Sequence, residues 1–289
     1  MHAARSRGEQ YSFAMAIERF VGVDLARAGS TRDRKANETG LVVLDADGAV
    51  IDAGWSRDRE QTLEWIDKAT AGGDALVFVD APLVVDNARG QRECERQVGQ
   101  RYGRWLVSAN TTNTSSPRLA GVKLREQLLA RGWTYDDGFG GPPRSGRVFS
   151  ECYPYTTLVG VAELGYHGDG QRPRHKRKPK RLPLAQWRPE RADTCDELVR
   201  RLDRLAQADP PLHLRSHEIT RDLLSPSPHD DKSYKHREDL IDAVICAWTA
   251  AYWHRYDVAR CQILGVRNEN GMPSATIIAL AEADQRRDQ

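Results

Sequence analysis

Four short apolar runs rich in β-branched residues fall within the first 80 residues, at positions 19–26, 41–44, 50–55 and 75–79. Their order restricts the sheet this chain can build. Asp45, Ala46, Asp47 and Gly48 stand between the second and third runs as a turn signal, which predicts an antiparallel hairpin and a meander of the first three strands. Between the third and fourth runs, Leu63, Trp65, Ile66 and Ala69 recur at helical spacing until Gly72 and Gly73 end the pattern. A helix between two strands implies a right-handed crossover, which returns the fourth strand to the sheet beside the first.

Beyond this frame the pattern predicts helices at 91–102 and 123–131, separated by a polar loop at 110–117, and a fifth strand at 148–153. From residue 165 to about 183–190 the apolar periodicity is lost. Lys176, Arg177, Lys178, Lys180 and Arg181 cluster there behind His175, which reads as an exposed, mobile basic insertion. Helices follow at 196–206 and 240–256, the latter with Ile241, Val244, Ile245, Trp248 and Tyr252 on its apolar face. Runs at 261–266 and 275–280 form a terminal hairpin or small covering element. The expected organisation is a flexible leader at 1–14 followed by one α/β domain over 15–289, with an apolar fraction of 39% sufficient for its core.

Composition narrows the chemistry. Net charge is only +2, so attraction to nucleic acid has to come from local basic patches. The five cysteines form no CxxC pair, which argues against a disulfide framework or structural zinc and for a reducing, cytoplasmic location. No apolar run long enough for a membrane span or a secretory signal occurs. The eight histidines lack metal-ligand spacing, and no glycine-rich phosphate loop or dinucleotide fingerprint is present.

Acids stand where apolar residues are expected. Asp24 lies in the first strand, Asp80 closes the fourth, Glu151 lies in the fifth, and Asp239 and Asp242 open the long helix. A buried carboxylate is costly unless it is paired or bound to a cation. If the first and fourth strands are neighbours, Asp24 and Asp80 approach one another, and the spacing of three puts Asp239 and Asp242 on one helix face. Such a group suits Mg²⁺ or Mn²⁺ held against a phosphodiester. Two readings of Glu151 stay open, a place with these acids or a pairing with a nearby arginine. Asp239 also has an ordinary explanation as a helix N-terminal charge. Arg92 and Arg96 share a helix face that could steer phosphates, although Glu93 and Glu95 beside them fit an ordinary solvated helix.

The stretches Val21-Gly-Val-Asp-Leu-Ala26, Val79-Asp-Ala-Pro-Leu83, Arg92-Glu-Cys-Glu95, Glu151-Cys-Tyr-Pro154 and Asp239-Leu-Ile-Asp-Ala243 resemble, in this order, the family catalogued as domain of unknown function 429. That resemblance implies a ribonuclease H-like mixed sheet, with three antiparallel strands and then parallel ones, flanked by helices and carrying insertions. It also implies a nuclease whose first-strand acid is Asp24, fourth-strand acid Asp80 and final-helix acids Asp239 and Asp242. The helix pair is similar to that of Holliday-junction resolvases. An acid on the first helix, usual in ribonuclease H, has no counterpart here.

The expectation is therefore a Mg²⁺- or Mn²⁺-dependent nuclease. Asp24, Asp80 and Asp242 are the metal ligands, Asp239 is an accessory ligand or base, and Glu151 is held in reserve. Lys176, Arg177, Lys178, Arg92 and Arg96 are the residues expected to meet nucleic acid. The competing expectations are a catalytically silent nucleic-acid-binding or regulatory protein of the same fold, and a small-molecule phosphotransferase.

Overall fold

The computed structural model describes residues 17–26, 38–71, 73–117, 119–179 and 181–286. The expected leader, Gly72 and Lys180 lie outside them.

β1 (Arg19–Asp24), β2 (Thr39–Asp45) and β3 (Val50–Ser56) form the expected antiparallel meander. α1 (Arg59–Thr70) starts where the Asp58 carboxylate accepts from Gln61 N at 2.9 Å, an N-cap that satisfies one of the free amides of the first turn. β4 (Ala75–Val79) then lies parallel to β1, as its order in the sequence implies. α2 (Glu93–Tyr102), α3 (Ala120–Ala130), the two-residue β5 (Thr134–Tyr135) and β6 (Arg147–Glu151) follow, and then α4 (Pro154–Val159), α5 (Leu184–Arg204), α6 (Glu218–Arg221) and α7 (Asp231–Tyr256). The six-stranded sheet has the order β3-β2-β1-β4-β6-β5, antiparallel in its first half and parallel in its second. β7 (Cys261–Leu264) and β8 (Ile277–Leu280) form a separate antiparallel hairpin, which touches the main sheet through a bridge between Cys152 and Ile278.

Strand alternation divides the core in two. Val21, Val23, Leu41, Val43, Val77, Val79 and Phe149 face α1 and α3. Phe20, Val42, Leu44, Leu76, Phe78 and Val148 face the opposite side, where α7 crosses β1, β2 and β4. Every residue of α7 from Leu240 to Trp253 is buried, so this helix is enclosed by the sheet on one side and by α4, β8 and the rest of that core on the other.

Several boundaries differ from expectation. α7 begins at Asp231, behind an Asp230 cap that accepts from Ser233 N at 2.8 Å, so Asp239 and Asp242 sit inside the helix and do not open it. Helix-end charge complementarity, which fades within the first turn, is thus no explanation for either acid. α5 begins twelve positions earlier than expected and runs through Pro189. Residues 165–179 and 181–183 are irregular, as expected, but the segment is not free of the body: His175 is fully buried and its carbonyl accepts from Tyr234 Oη at 2.6 Å.

α7 can lie this close to the sheet because two glycines face it. A Cβ on Gly22 would stand 1.9 Å from the Ala243 carbonyl oxygen, and one on Gly40 would stand 2.1 Å from that of Asp239. Both obstacles are helix backbone, which cannot swing aside as a side chain does. Gly22→Ala is therefore expected to cost about 3 kcal/mol or more, read as a lowered urea midpoint or loss of soluble protein. Gly54→Ala, with nothing within 4 Å of its would-be Cβ, is expected to leave the midpoint nearly unchanged.

Candidate functional site

Asp24 ends β1 on the α7 side of the sheet, at the same parity as Phe20 and Gly22. The amide of Asp80 donates to Val23 O at 2.9 Å, which extends the β1–β4 pairing by one residue and sets Asp80 beside Asp24. α7 brings Asp242 over both. One carboxylate oxygen from each of Asp24, Asp80 and Asp242 lies within 4.8 Å of the others. Asp242 is buried and the other two are partly buried. Asp239, one turn earlier on α7, lines the same cleft and is close enough for its carboxyl and that of Asp24 to affect each other's ionisation.

These carboxyls impose on one another. Burial, with the charges of Asp242 and Asp80, holds Asp24 well above the ordinary aspartate range. Burial likewise raises Asp242, opposed by the Lys176 ammonium. Asp239 is pushed by burial up to about 6, with Lys235 holding it down. Two ammonium groups temper the cluster: Lys176 forms an ion pair with Asp242, and Lys235 Nζ lies 2.5 Å from Asp239 Oδ1 and 2.9 Å from Glu238 Oε1. A cleft of about 370 Å³ opens on the group, walled also by Asn110, Tyr153 and Tyr155. A second cleft, of about 240 Å³, adjoins it at Asp80 and is lined by Thr111, Thr112 and Ser116 of the polar loop.

The donor set suits a hard divalent cation. All three converging groups offer oxygen, and an ion with ligands at about 2.1 Å spans about 4.2 Å between opposite oxygens, close to the spread found here. Asp24, Asp80 and Asp242 would hold it, with Asp239 in reach of Asp24 but not among the three.

Glu151 does not join them, and the alternative of an arginine partner is the one realised. Within β6 it shares parity with Phe149 and so points to the opposite face of the sheet from Asp24 and Asp80. There Arg92 donates to both its oxygens, Nη2 at 2.6 Å and Nη1 at 2.8 Å, while Arg92 Nε reaches Glu95 at 2.9 Å. All three side chains are buried. Burial raises Glu151, and the Arg92 guanidinium together with the Leu83 amide opposes that rise. Arg92, expected to meet nucleic acid, is thereby buried with its donors committed to two carboxylates. Arg96 is exposed and forms an ion pair with Glu93. Of the basic insertion, Lys176 turns into the site, whereas Arg177 and Lys178 face solvent.

Lys235, Glu238, Tyr155 and Asn110 were not singled out in the sequence. The first two were accessible: Lys235 stands three and four positions before Glu238 and Asp239, the spacing of helix neighbours, once α7 is started at Asp231.

A family model described as protein of unknown function (DUF429) matches residues 22–262. No curated protein and no solved structure matches the chain.

The raised carboxyls fix the sign of a pH effect. A carboxyl whose folded pKa exceeds its unfolded value, about 3.9 for Asp, stabilises the fold below that value. This contribution is lost as pH rises through the folded pKa, about 6 for Asp239 and raised for Asp24. In metal-free buffer Asp24→Asn is therefore expected to melt above wild type at pH 7.5, with the gap closing toward pH 4, as followed by thermal scans across that range. The opposite sign is expected at the buried arginine beside Asp80. Arg92→Met leaves two buried carboxylates unpaired and should cost about 3–5 kcal/mol in urea unfolding, while Arg96→Met should leave the midpoint unchanged.

Proposed function

The chain belongs to the DUF429 family, whose description assigns no activity, and we propose from the geometry of the site that it is a metal-dependent nuclease hydrolysing phosphodiester bonds of nucleic acid. One observation carries this reading: carboxylate oxygens from β1, β4 and α7 converge within 4.8 Å at the end of a sheet. The strand order β3-β2-β1-β4, antiparallel and then parallel, with acids closing the two central strands and a helix laid across them, favours a ribonuclease H-like architecture.

In this reading Asp24, Asp80 and Asp242 hold Mg²⁺ or Mn²⁺. The ion would polarise a phosphoryl oxygen and make a water more acidic. The chain's own groups do the rest. Asp239, raised to about 6, changes protonation near neutral pH and can take a proton from water in the cleft. Lys235 limits that rise and so favours its ionised form. Tyr153 and Tyr155, set edge to face at 5.8 Å, form an aromatic wall beside the carboxylates. Arg177 and Lys178, exposed on the segment that carries Lys176, supply positive charge for the flanking backbone. We place the activity in a reducing, cytoplasmic setting, since all five cysteines are free and buried. No helix among the described residues is long and apolar enough to cross a membrane.

A second reading has its own observation. Lys176 and Lys235 already sit on two of the acids, so the cluster could be a charge-balanced structural element in a catalytically silent nucleic-acid-binding or regulatory protein.

Melting scans with EDTA, Mg²⁺ or Mn²⁺ separate the two. Metal at one hundred times its Kd is expected to stabilise wild type by about 2.7 kcal/mol, and Asp24→Asn and Asp242→Asn should show no such gain. Cleavage of single-stranded, duplex and branched DNA and RNA should require the metal and fall about 100-fold or more in both variants. Absence of any shift at millimolar metal, together with retained nucleic-acid binding and no cleavage, would establish the silent reading.

A further inference from the structure

Lys176 stands closer to the chemistry than a general backbone contact would. We propose that its ammonium supplies, from the chain itself, the positive charge that a second divalent ion would bring to Asp242, so that the site takes one ion and Lys176 meets the phosphate beside it. This rests on the metal-dependent reading given above.

The pairing with Asp242 carries the argument. Two-metal sites hold their ions about 3.5–4 Å apart with carboxylates between them. Here the Lys176 ammonium donates directly to Asp242 Oδ2, so one of the two oxygens through which that carboxylate would bridge is taken. A second dication on the same oxygen would lie against a fixed cation in a poorly solvated cleft, where like charges repel strongly. A single ion can still use the remaining oxygen of Asp242 with Asp24 and Asp80.

The lysine is also held in place. Arg172 N donates to Trp105 O at 3.0 Å and Arg172 Nε to Leu106 O at 2.7 Å, which fastens the segment on one side. Next to Lys176, the His175 ring is fully buried and its carbonyl accepts from Tyr234 Oη at 2.6 Å. Tyr234 belongs to α7, the helix that also carries Asp242, so ammonium and carboxylate share one support. The Lys176 ammonium lies over the Tyr155 ring, 5.4 Å from its centroid, and the side chain is 25% exposed. It is open enough to meet a ligand from the cleft and too well packed to swing freely. Lys235 differs, being 48% exposed and divided between Glu238 and Asp239. Its direct ion pairs go to Glu238 and Asp239, whereas Lys176 pairs directly with one of the three converging carboxylates.

Counting bound Mn²⁺ per chain, by the loss of free-ion electron paramagnetic resonance signal during titration, tests the proposal without relying on activity. Wild type and Lys176→Arg are expected to bind one ion and Lys176→Gln two. Cleavage by Lys176→Gln should drop about 100-fold at Mn²⁺ sufficient for the first site and recover as the second fills, a recovery that a merely structural lysine would not produce. Two ions on wild type overturn the proposal while the metal site stands, and so does a Lys176→Gln chain that stays at one ion. Should Lys176→Gln fail to fold, the wild-type and Lys176→Arg counts decide, two ions on either being fatal. No ion on wild type removes the metal-dependent reading itself and the proposal with it.

Discussion

The structure depends on how closely the backbone of α7 approaches β1 and β2. At Gly22 and Gly40 the strand Cα atoms sit directly beneath helix carbonyls, leaving no room for a methyl group. An ordinary helix and sheet keep side chains between them. Their omission at these points lowers α7 onto the strands and fixes both its height and its rotation. The acids follow from this contact: Asp239 offers the carbonyl above Gly40, and Asp242 precedes the residue whose carbonyl lies above Gly22. The glycines thus set where the helix carboxylates meet those of the sheet. The surrounding apolar residues make the contact stable, since a helix buried on every side from Leu240 to Trp253 has no alternative face to present.

What this contact creates is unfavourable taken alone. Four carboxyls are crowded here, and burial with mutual repulsion raises the pKa values of Asp24, Asp239 and Asp242. The fold offsets the repulsion with Lys176 and Lys235. Only part of the charge is matched: six carboxylates and two lysines line the cleft, and of these acids Glu38 is matched on the far side by Arg57 and His236. An apolar core would have avoided the conflict altogether. Crowding retained at the mouth of a cleft is the pattern of a site whose cost is offset by a ligand.

The sheet was legible in the sequence because its evidence is local. Alternation, a turn signal and one helix between strands sufficed for the order β3-β2-β1-β4, and from it for the meeting of Asp24 with Asp80. Glu151 was not resolved by the same means. Its apolar neighbours Val148 and Phe149 both end up in cores, on opposite faces, so the sequence carried no mark of which face was the site. The beginning of α7 was hidden by its polar first turns, where Lys232, Ser233, Lys235 and His236 break the apolar pattern before the core is reached. This concealed the Lys235 partners and made Asp239 look like a helix-end charge. Lys176 was read as an exposed base meeting nucleic acid, and its pairing with Asp242 stayed hidden because the residues that clamp its segment, Trp105, Leu106 and Tyr234, are remote in sequence.

Motif residues that hold no ligand still shape the site. Glu151 accepts from the Leu83 amide and Arg92 donates to the Val84 carbonyl, so the pair grips the chain immediately after Asp80. Glu95 accepts from the Thr112 amide at 2.9 Å and ties down the polar loop that lines the cleft beside Asp80. A buried guanidinium shared by two carboxylates is a stiff support, because its planar donors fix all three groups at once. Arg92, Glu95 and Glu151 therefore serve the carboxylate cluster from the neighbouring cleft that they line together with Asp80: they hold still the segment that carries one of its acids and the loop that walls that cleft. Two polar groupings with opposite electrostatics result. The one around Arg92 has its charges satisfied within the chain and rigidifies the frame, and the one around Asp24 keeps more carboxyls than ammonium groups facing its cleft.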